Sequence, residues 1–257
     1  MNSSGPGLFE AVIESWRLVI GNAAALARVA LVPFLIFVAL NRLEAAFKPE
    51  GTAILAWSLL FTILAAPPAI MLLMPWFRQI LTASDPAMAA PPAMWWSIVL
   101  MLRWVGLDIM FFAALAPIAA VSIQTMTAGG EPAQGSSGIV IFYVATFIIS
   151  AYLFYGRMGL ALPAVAAESD HSYRRSWAAT GNNGWRIGFA VVLCLLSVQI
   201  PIDFLRASLA VQNPTLAMQY LDAALGAIFR IVNELLSAAV FAQFYLARTA
   251  GPAEDEG

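Results

Sequence analysis

Residues 24–46 read AALARVALVPFLIFVALNRLEAA, an apolar run as long as a helix that crosses a bilayer. A hydrocarbon core about 30 Å thick takes roughly 20 helical residues, because backbone groups in lipid must be hydrogen-bonded within their own segment. The middle of this run, from Val29 to Leu40, carries no charge. The stretch therefore predicts a membrane-spanning helix.

Five further runs of the same kind follow, and the chain between them is short. We expect six spans, at Ala24–Ala46, Thr52–Pro75, Val105–Met126, Ile139–Val165, Trp185–Leu205 and Met218–Ala247. The chain is 61% hydrophobic and 11% charged, whereas a soluble domain carries about 25% charged residues. The sequence predicts an all-α, polytopic integral membrane protein, with one membrane domain at 1–248 and an acidic tail at 249–257.

Up to three amphipathic helices are expected to lie on the membrane surface. The first, Leu8–Ile20, places Glu10, Glu14 and Arg17 opposite an apolar side formed by Phe9, Val12, Ile13, Trp16, Val19 and Ile20. The second, Met94–Trp104, contains three tryptophans suited to the interface. The third is capped by Ser169 or Asp170 and ends at Gly181-Asn182.

The distribution of basic residues predicts the orientation, because Lys and Arg are retained on the cytoplasmic side. With the N-terminus inside, only Arg42, Lys48 and Arg206 fall outside, against nine arginines in or beside cytoplasmic segments. The loop at 127–138 has no basic residue and is expected outside. The first residues lack a basic region and do not resemble a cleaved signal. We therefore expect both termini, and the acidic tail, in the cytoplasm.

One segment resembles a known family. Residues 152–186 read YLFYGRMGLALPAVAAESDHSYRRSWAATGNNGWR, with motif positions at Arg157, Leu160–Pro163, Glu168, Ser176-Trp177, Thr180 with Gly181-Asn182, and Trp185-Arg186. This pattern resembles the membrane domain attached to some bacterial glycerophosphoryl diester phosphodiesterases, and its stand-alone relatives in bacterial inner membranes. The chain departs from it by an extra residue at Asn183-Gly184. The resemblance implies a bacterial inner-membrane protein without the diesterase activity, which belongs to a separate soluble domain.

The sequence contains no complete catalytic constellation. It has no glycine-rich phosphate loop, zinc-ligand spacing or nucleophile elbow. Its one histidine, His171, lies near Glu168 and Asp170 and would need further ligands to hold a metal. The single cysteine, Cys194, excludes an internal disulfide. We therefore expect no catalytic residue, no metal, no cofactor and no nucleic-acid partner.

Charged and polar residues in the predicted spans form the first candidate site, which contains Asp108, Arg230, Asn233 and Glu234. A charge at the bilayer centre costs about 2.5–3.5 kcal/mol on insertion scales and is usually paired or in a cavity. Arg230 and Glu234 are four residues apart and can neutralise each other on one helix face. They form either a buried pair that fixes helix packing or a site for an ion, a proton or a lipid headgroup. Other residues could extend this network, namely Asp108, Gln199 and Asp203.

The second candidate site would hold lipid headgroups in the region of the family-like motif. Its residues are Arg157, Arg174, Arg175, Trp177 and Arg186. Arginine offers forked donors to phosphate, and aromatic side chains lie at headgroup depth. The alternative is an ordinary positive-inside signal with an aromatic belt.

These observations favour a non-enzymatic inner-membrane scaffold or accessory protein with a role in lipid or envelope upkeep. Its expected partners are membrane lipids, together with other membrane proteins or a second copy of the chain. The alternative is a small transporter or channel whose pathway passes Arg230 and Glu234. A wetted cavity at these two residues would favour transport, while packing against another helix would favour the scaffold.

The orientation predicts which introduced cysteines are accessible from outside the cell. A cysteine at Ser136 should react with an impermeant thiol reagent, and a cysteine at Ser172 should react only after permeabilisation, because the two positions lie on opposite sides. Labelling of intact cells measures this. The reverse pattern would contradict the cytoplasmic placement of the termini.

Overall fold

The computed structural model describes residues 5–47, 49, 53–83, 93–127, 144–169, 172–209 and 215–249. These residues form helices and no strand. The helices are α1 Leu8–Gly21, α2 Ala23–Phe47, α3 Ala53–Leu64, α4 Ala66–Thr82, α5 Met94–Thr127, α6 at 144–158, α7 Ala161–Ala166, α8 Tyr173–Thr180, α9 Gly184–Leu209 and α10 Leu216–Thr249.

The protein is an all-α, polytopic membrane protein. In the described part of the chain, five segments are long and apolar enough to cross a bilayer, namely Ala23–Phe47, Met94–Pro117, Val144–Ala166, Gly184–Ser208 and Leu216–Thr249. A bent pair of helices supplies a sixth candidate span. The six predicted spans each correspond to one of these segments.

The second predicted span, Thr52–Pro75, is broken into α3 and α4. Their axes bend by 45° at a one-residue break. Pro67 and Pro68 lie in the first turn of α4, where their missing backbone N–H groups leave no helical bond unmade. The break turns α4 inward, and its residues from Ala66 to Leu81 are largely buried.

The prediction of a separate surface helix at Met94–Trp104 is wrong. This segment forms the first turns of α5, which runs for 34 residues without interruption to Thr127. Neither Gly nor Pro occurs between Met94 and Val105 to end a helix. Leu100 and Trp104 are 0% and 4% exposed, so the segment packs into the bundle.

Helix α1 packs on the bundle through a face that only partly coincides with its predicted apolar side. The buried positions are Ala11, Ser15 and Val19, spaced four residues apart. The Gln243 amide of α10 donates to the Ser15 hydroxyl at 2.9 Å. Of the predicted apolar side, Phe9 and Ile20 are more than 65% exposed. Phe9 and Ile20 are thus available to contact lipid, whereas Val19 of the same predicted side is buried.

Helix α8 is the predicted third surface helix, with a different N-cap. Ser172 caps it by accepting a hydrogen bond from the Arg175 N–H at 3.2 Å. The Ser169 hydroxyl instead donates to the Ala164 carbonyl and pairs with the Tyr245 hydroxyl. The helix ends at Gly181, as predicted, and this glycine has a positive φ of +44°. The extra residue of the motif lies in a short 3-10 turn at Gly181–Asn183 that leads into α9.

Helices α6 and α9 approach closely where both lack side chains. Gly184 and Gly188 form a G-x-x-x-G pair on α9, and Gly156 of α6 faces Gly184. A Cβ on Gly188 would lie 3.0 Å from the Ala151 carbonyl oxygen. Small residues at this spacing let two membrane helices pack backbone against backbone. Facing them, residues Ala151–Gly156 of α6 adopt a π-helical turn.

Basic side chains other than Arg230 form two groups, one at each end of the bundle. At one end, the arginine-rich end, Arg78 bonds the Ala166 carbonyl and Arg157 bonds the Gly181 carbonyl. At the opposite end, Arg42 donates to the Gln219 amide oxygen at 2.7 Å, and Arg206 pairs with Asp222 at 2.8 Å. This grouping follows the predicted division of the arginines, while the side of the membrane that each end occupies stays a prediction.

Several predicted features lie outside the described residues. They are the loop at 128–138, Lys48, the alternative cap Asp170, His171 and the acidic tail from 250 onward. Thr249, which the prediction placed in the tail, is the last residue of α10.

We predict that Gly156→Ala destabilises the protein by about 1–3 kcal/mol, because the new methyl group would overlap the Gly184 carbonyl. Thermal unfolding in detergent measures the loss. Gly21→Ala is the matched control, since a Cβ there meets nothing within 4 Å. Equal melting temperatures for the two variants would contradict a close contact between α6 and α9.

Candidate functional site

A small cavity with a partly polar lining lies between α4, α5, α6, α7, α9 and α10. Its volume is about 60 Å³, and its polar lining consists of Trp104, Asp108, Tyr155, Asn233, Glu234 and Ser237. A volume of this size accommodates one or a few water molecules. Asp108 and Glu234 lie near the midpoints of two 34-residue helices, each about 50 Å long. The two carboxyl groups are therefore far from both helix ends.

Trp104 lies between Arg230 and Glu234 of α10. Its indole Nε1 donates to the Glu234 Oε2 at 3.1 Å. The Arg230 guanidinium lies 5.9 Å from the Trp104 ring centre and 5.1 Å from that of Phe37 on α2. Among the described residues, the ion pairs do not include one between Arg230 and Glu234. Their spacing allows a direct ion pair, but in the structure both side chains contact Trp104 instead.

Tyr155 reaches the cavity from the π-helical turn of α6. Its hydroxyl donates to Asp108 Oδ1 at 3.2 Å, and its ring lies 5.0 Å from that of Phe111. A π-helical turn adds a residue to the turn and so changes which side chains face inward. Such turns occur frequently at functional sites.

The other polar residues predicted to extend this network lie elsewhere. Gln199 donates to Asp203 at 2.5 Å on the same helix, α9. Asp203 is exposed, and neither side chain lines the cavity. The single cysteine, Cys194, lies on the same helix and is buried.

A second, larger pocket opens at the arginine-rich end. We call it the arginine pocket; it measures about 620 Å³ and is lined by Leu160, Ala161, Ala164, Ser169, Ser172, Arg175, Ser176, Ala178, Ala179, Tyr245, Arg248 and Thr249. Arg175 and Arg248 are both exposed. They come from α8 and α10, so the pocket brings together charges that are 73 positions apart in sequence.

The five predicted headgroup residues do not form one site. Of these, Arg175 alone lines the arginine pocket. Arg174 is exposed outside it, and Arg186 lies against the ring of its neighbour Trp185, with 5.5 Å between guanidinium and ring centre. Sequence reasoning missed Arg248 as a site residue, because a basic residue in the last turn of a helix is common there and offsets the negative end of the helix dipole.

Arg157 and Trp177 have a structural role at the edge of this pocket. The Arg157 guanidinium lies 4.6 Å from the Trp177 ring centre and donates to the Gly181 carbonyl. The Ser176 hydroxyl donates to the Arg157 carbonyl at 3.0 Å. These contacts fix α8 against the end of α6.

Glu168 holds the turn between α7 and α8 in a strained conformation. Its φ is +55°, in the left-handed region where Gly is usual. The Ser169 N–H bonds the Ala164 carbonyl and the Glu168 N–H bonds that of Val165, which together close a Schellman-type helix end. The Glu168 carboxylate pairs with Arg78 at 3.0 Å. This ion pair joins the turn to α4.

Tyr173 joins α8 to the start of α5. Its hydroxyl donates to the Arg103 carbonyl at 2.6 Å, and the Arg103 guanidinium lies 4.6 Å from its ring centre. Burial raises the pKa of the Tyr173 phenol. The group therefore remains a donor throughout the physiological pH range.

The fold and these two cavities define a multi-pass helical membrane protein with an internal carboxyl-lined cavity and a separate arginine pocket. Searches against protein-family models, curated proteins and solved structures found no match. In the described part of the chain, no three His, Cys, Asp or Glu side chains are placed to share a metal ion.

We predict that Trp104→Phe destabilises the protein by about 1–3 kcal/mol, because the Glu234 carboxyl loses its buried donor. Trp95→Phe, on the same helix and 63% exposed, should change stability by less than about 0.5 kcal/mol. Unfolding in detergent compares the two.

A double-mutant cycle with Glu234→Leu isolates the contact itself. Trp104→Phe should cost markedly less in the Glu234→Leu background. An equal cost in both backgrounds would mean that the indole ring contributes through packing alone.

Proposed function

We propose that the protein is a non-enzymatic membrane scaffold or accessory protein that holds anionic phospholipid in the arginine pocket at its membrane surface. The bacterial inner membrane, with this pocket on the cytoplasmic side, is the proposed location. Membrane lipids are the proposed ligands, with a role in lipid or envelope upkeep.

The observation that carries the proposal is the convergence of Arg175 and Arg248 on one pocket of about 620 Å³. Two guanidinium groups on one site suit the oxygens of a phosphate diester, since each offers forked donors. A basic residue near an anionic membrane surface contributes on the order of 1 kcal/mol. Two such residues favour anionic over zwitterionic headgroups.

Several hydroxyl groups of the pocket are hydrogen-bonded within the protein. Tyr245 and Ser169 bond each other at 2.9 Å, and Thr249 donates to carbonyls of its own helix. Because these groups already have partners, selectivity in the proposed site comes from charge. The ligand class is therefore anionic lipid in general, with no requirement for one particular headgroup.

An apolar groove beside α4 and α5 supports the same proposal. It measures about 430 Å³ and is lined mainly by apolar side chains, among them Met71, Met74 and Met101, with Arg78 and Ser97 as its polar members. Flexible methionine side chains adapt to irregular apolar ligands. Met71 is 48% exposed, so the groove is open to the acyl chains of the surrounding bilayer.

Transport remains the second candidate function, favoured by the internal cavity at Glu234. The cavity is large enough for water or a small ion. Arg230, however, packs on the rings of Phe37 and Trp104 and does not line that cavity. A pathway through the described arrangement would need the aromatic contacts of Arg230 to open.

We predict that Arg175→Gln combined with Arg248→Gln lowers the retention of phosphatidylglycerol or cardiolipin severalfold, because both guanidinium groups of the pocket are removed. Native mass spectrometry of protein purified in lipid measures the bound lipid. Insertion should be unaffected, since the other arginines keep the charge bias.

The matched control pairs Arg174→Gln with Arg186→Gln, which removes equal charge from residues that do not line the pocket. Retention should stay near that of the parent. If both double variants lose lipid equally, the effect is one of general surface charge. If neither loses lipid, these arginines serve topology alone.

A further inference from the structure

The internal cavity contains more negative than positive groups. Two carboxyl groups, Asp108 and Glu234, line it, while Arg230 is the one cation held by the same aromatic ring as Glu234. Lining side chains from the other helices carry no charge, namely Leu73, Phe77, Leu162, Val191 and Leu195. Arg103, five residues before Asp108 on α5, is held over the Tyr173 ring. With both carboxyls ionised, one negative charge would remain unbalanced.

An unbalanced charge is costly in this environment. The penalty for burying an ion without a partner amounts to several kcal/mol, and charges in membrane helices accordingly pair or sit in a polar cavity. The tyrosine hydroxyl on Asp108 and the indole on Glu234 are neutral donors, and they reduce the penalty without supplying a positive charge. The cavity therefore needs one further positive charge.

A second observation points to a ligand in the same place. Asn233 lines the cavity, and its side-chain oxygen is buried and accepts no hydrogen bond from the described residues. Buried amide oxygens are rarely left without a partner. With the two carboxyls and the Tyr155 hydroxyl, this oxygen completes a set of oxygen ligands from three helices. Oxygen ligands suit a proton held through water or a hard cation.

We propose that the internal cavity binds a single positive charge, as a proton or an alkali cation, between Asp108 and Glu234. The proposal does not depend on the arginine pocket or on lipid binding. A proton and an alkali cation would serve equally well, because each balances the charge of the second carboxyl. They differ in what controls the stability of the fold, which is pH for the proton and sodium concentration for the cation.

Thermal unfolding of the full chain in nanodiscs tests the proposal. A cation that binds only the folded state raises the melting temperature, by about 5–10 °C at a hundredfold excess over its dissociation constant. Sodium chloride is therefore compared with choline chloride at equal ionic strength and pH 9. If the charge is a proton, the folded state holds more protons than the unfolded state, so stability falls as pH rises from 5 to 9 in choline.

Asp108→Asn and Glu234→Gln remove one carboxyl each and leave the other balanced by Arg230. The sodium effect or the pH slope of the parent should disappear in both variants. Glu44→Gln, a carboxyl of α2 that does not line the cavity, is the matched control and should keep the parental response. If the response seen in the parent persists in the cavity variants, or if the parent shows neither response, the proposal is overturned.

Infrared spectroscopy on the parent keeps the test decisive if the variants do not fold. A protonated carboxyl absorbs apart from a carboxylate, so a proton source predicts a protonated band at pH 8 that persists in sodium. A cation source predicts carboxylate bands that shift when sodium replaces choline. A spectrum with neither feature would also overturn the proposal.

Discussion

Arg230 and Glu234 lie halfway along α10, and a bilayer offers no water to solvate them at that depth. The neighbouring helices supply the contacts that water would otherwise make. Helix α5 supplies the Trp104 indole to the carboxyl, and α2 supplies the Phe37 ring to the guanidinium. The rings are attracted to the cation through their quadrupoles and, unlike carboxylates, add no charge. The positions of α2 and α5 are thus tied to the charged residues of α10.

Other polar groups tie further helices to α10. Trp76 of α4 donates to the Leu235 carbonyl at 2.9 Å, and Gln243 donates to Ser15 of α1. Asn41 of α2 donates to the Ala223 carbonyl at 3.0 Å. Between these bonds, the buried face of α10 includes several small residues, among them Ala227 and Ala239, which are fully buried. Helices in lipid gain little from hydrophobic burial, so close packing and specific hydrogen bonds determine which faces meet.

The sequence predicts the spans well, because length and apolarity alone determine them. It predicts the sites less completely. The usual preference of tryptophan predicts Trp104 at the membrane interface, but tertiary packing places it at the cavity. For Arg248 the sequence predicts only a contribution to the orientation in the membrane, because nothing near it in the chain indicates that the end of α10 meets α8. The periodicity of a sequence does not indicate which distant segments touch. Helix caps depend on local residues, and the predicted N-cap of α8 lies within three residues of the observed one, Ser172.

The π-helical turn at Ala151–Gly156 has a consequence for how this chain is compared with others. Such a turn holds one residue more than the α-helical turn it replaces, so an ordinary helix with the same ends would be one residue shorter. An alignment would show a single-residue gap inside an otherwise continuous apolar segment. Side chains on the two sides of the turn would then be rotated relative to one another, so a different residue would face Asp108. The length of α6, to within one residue, therefore decides whether Tyr155 reaches the cavity.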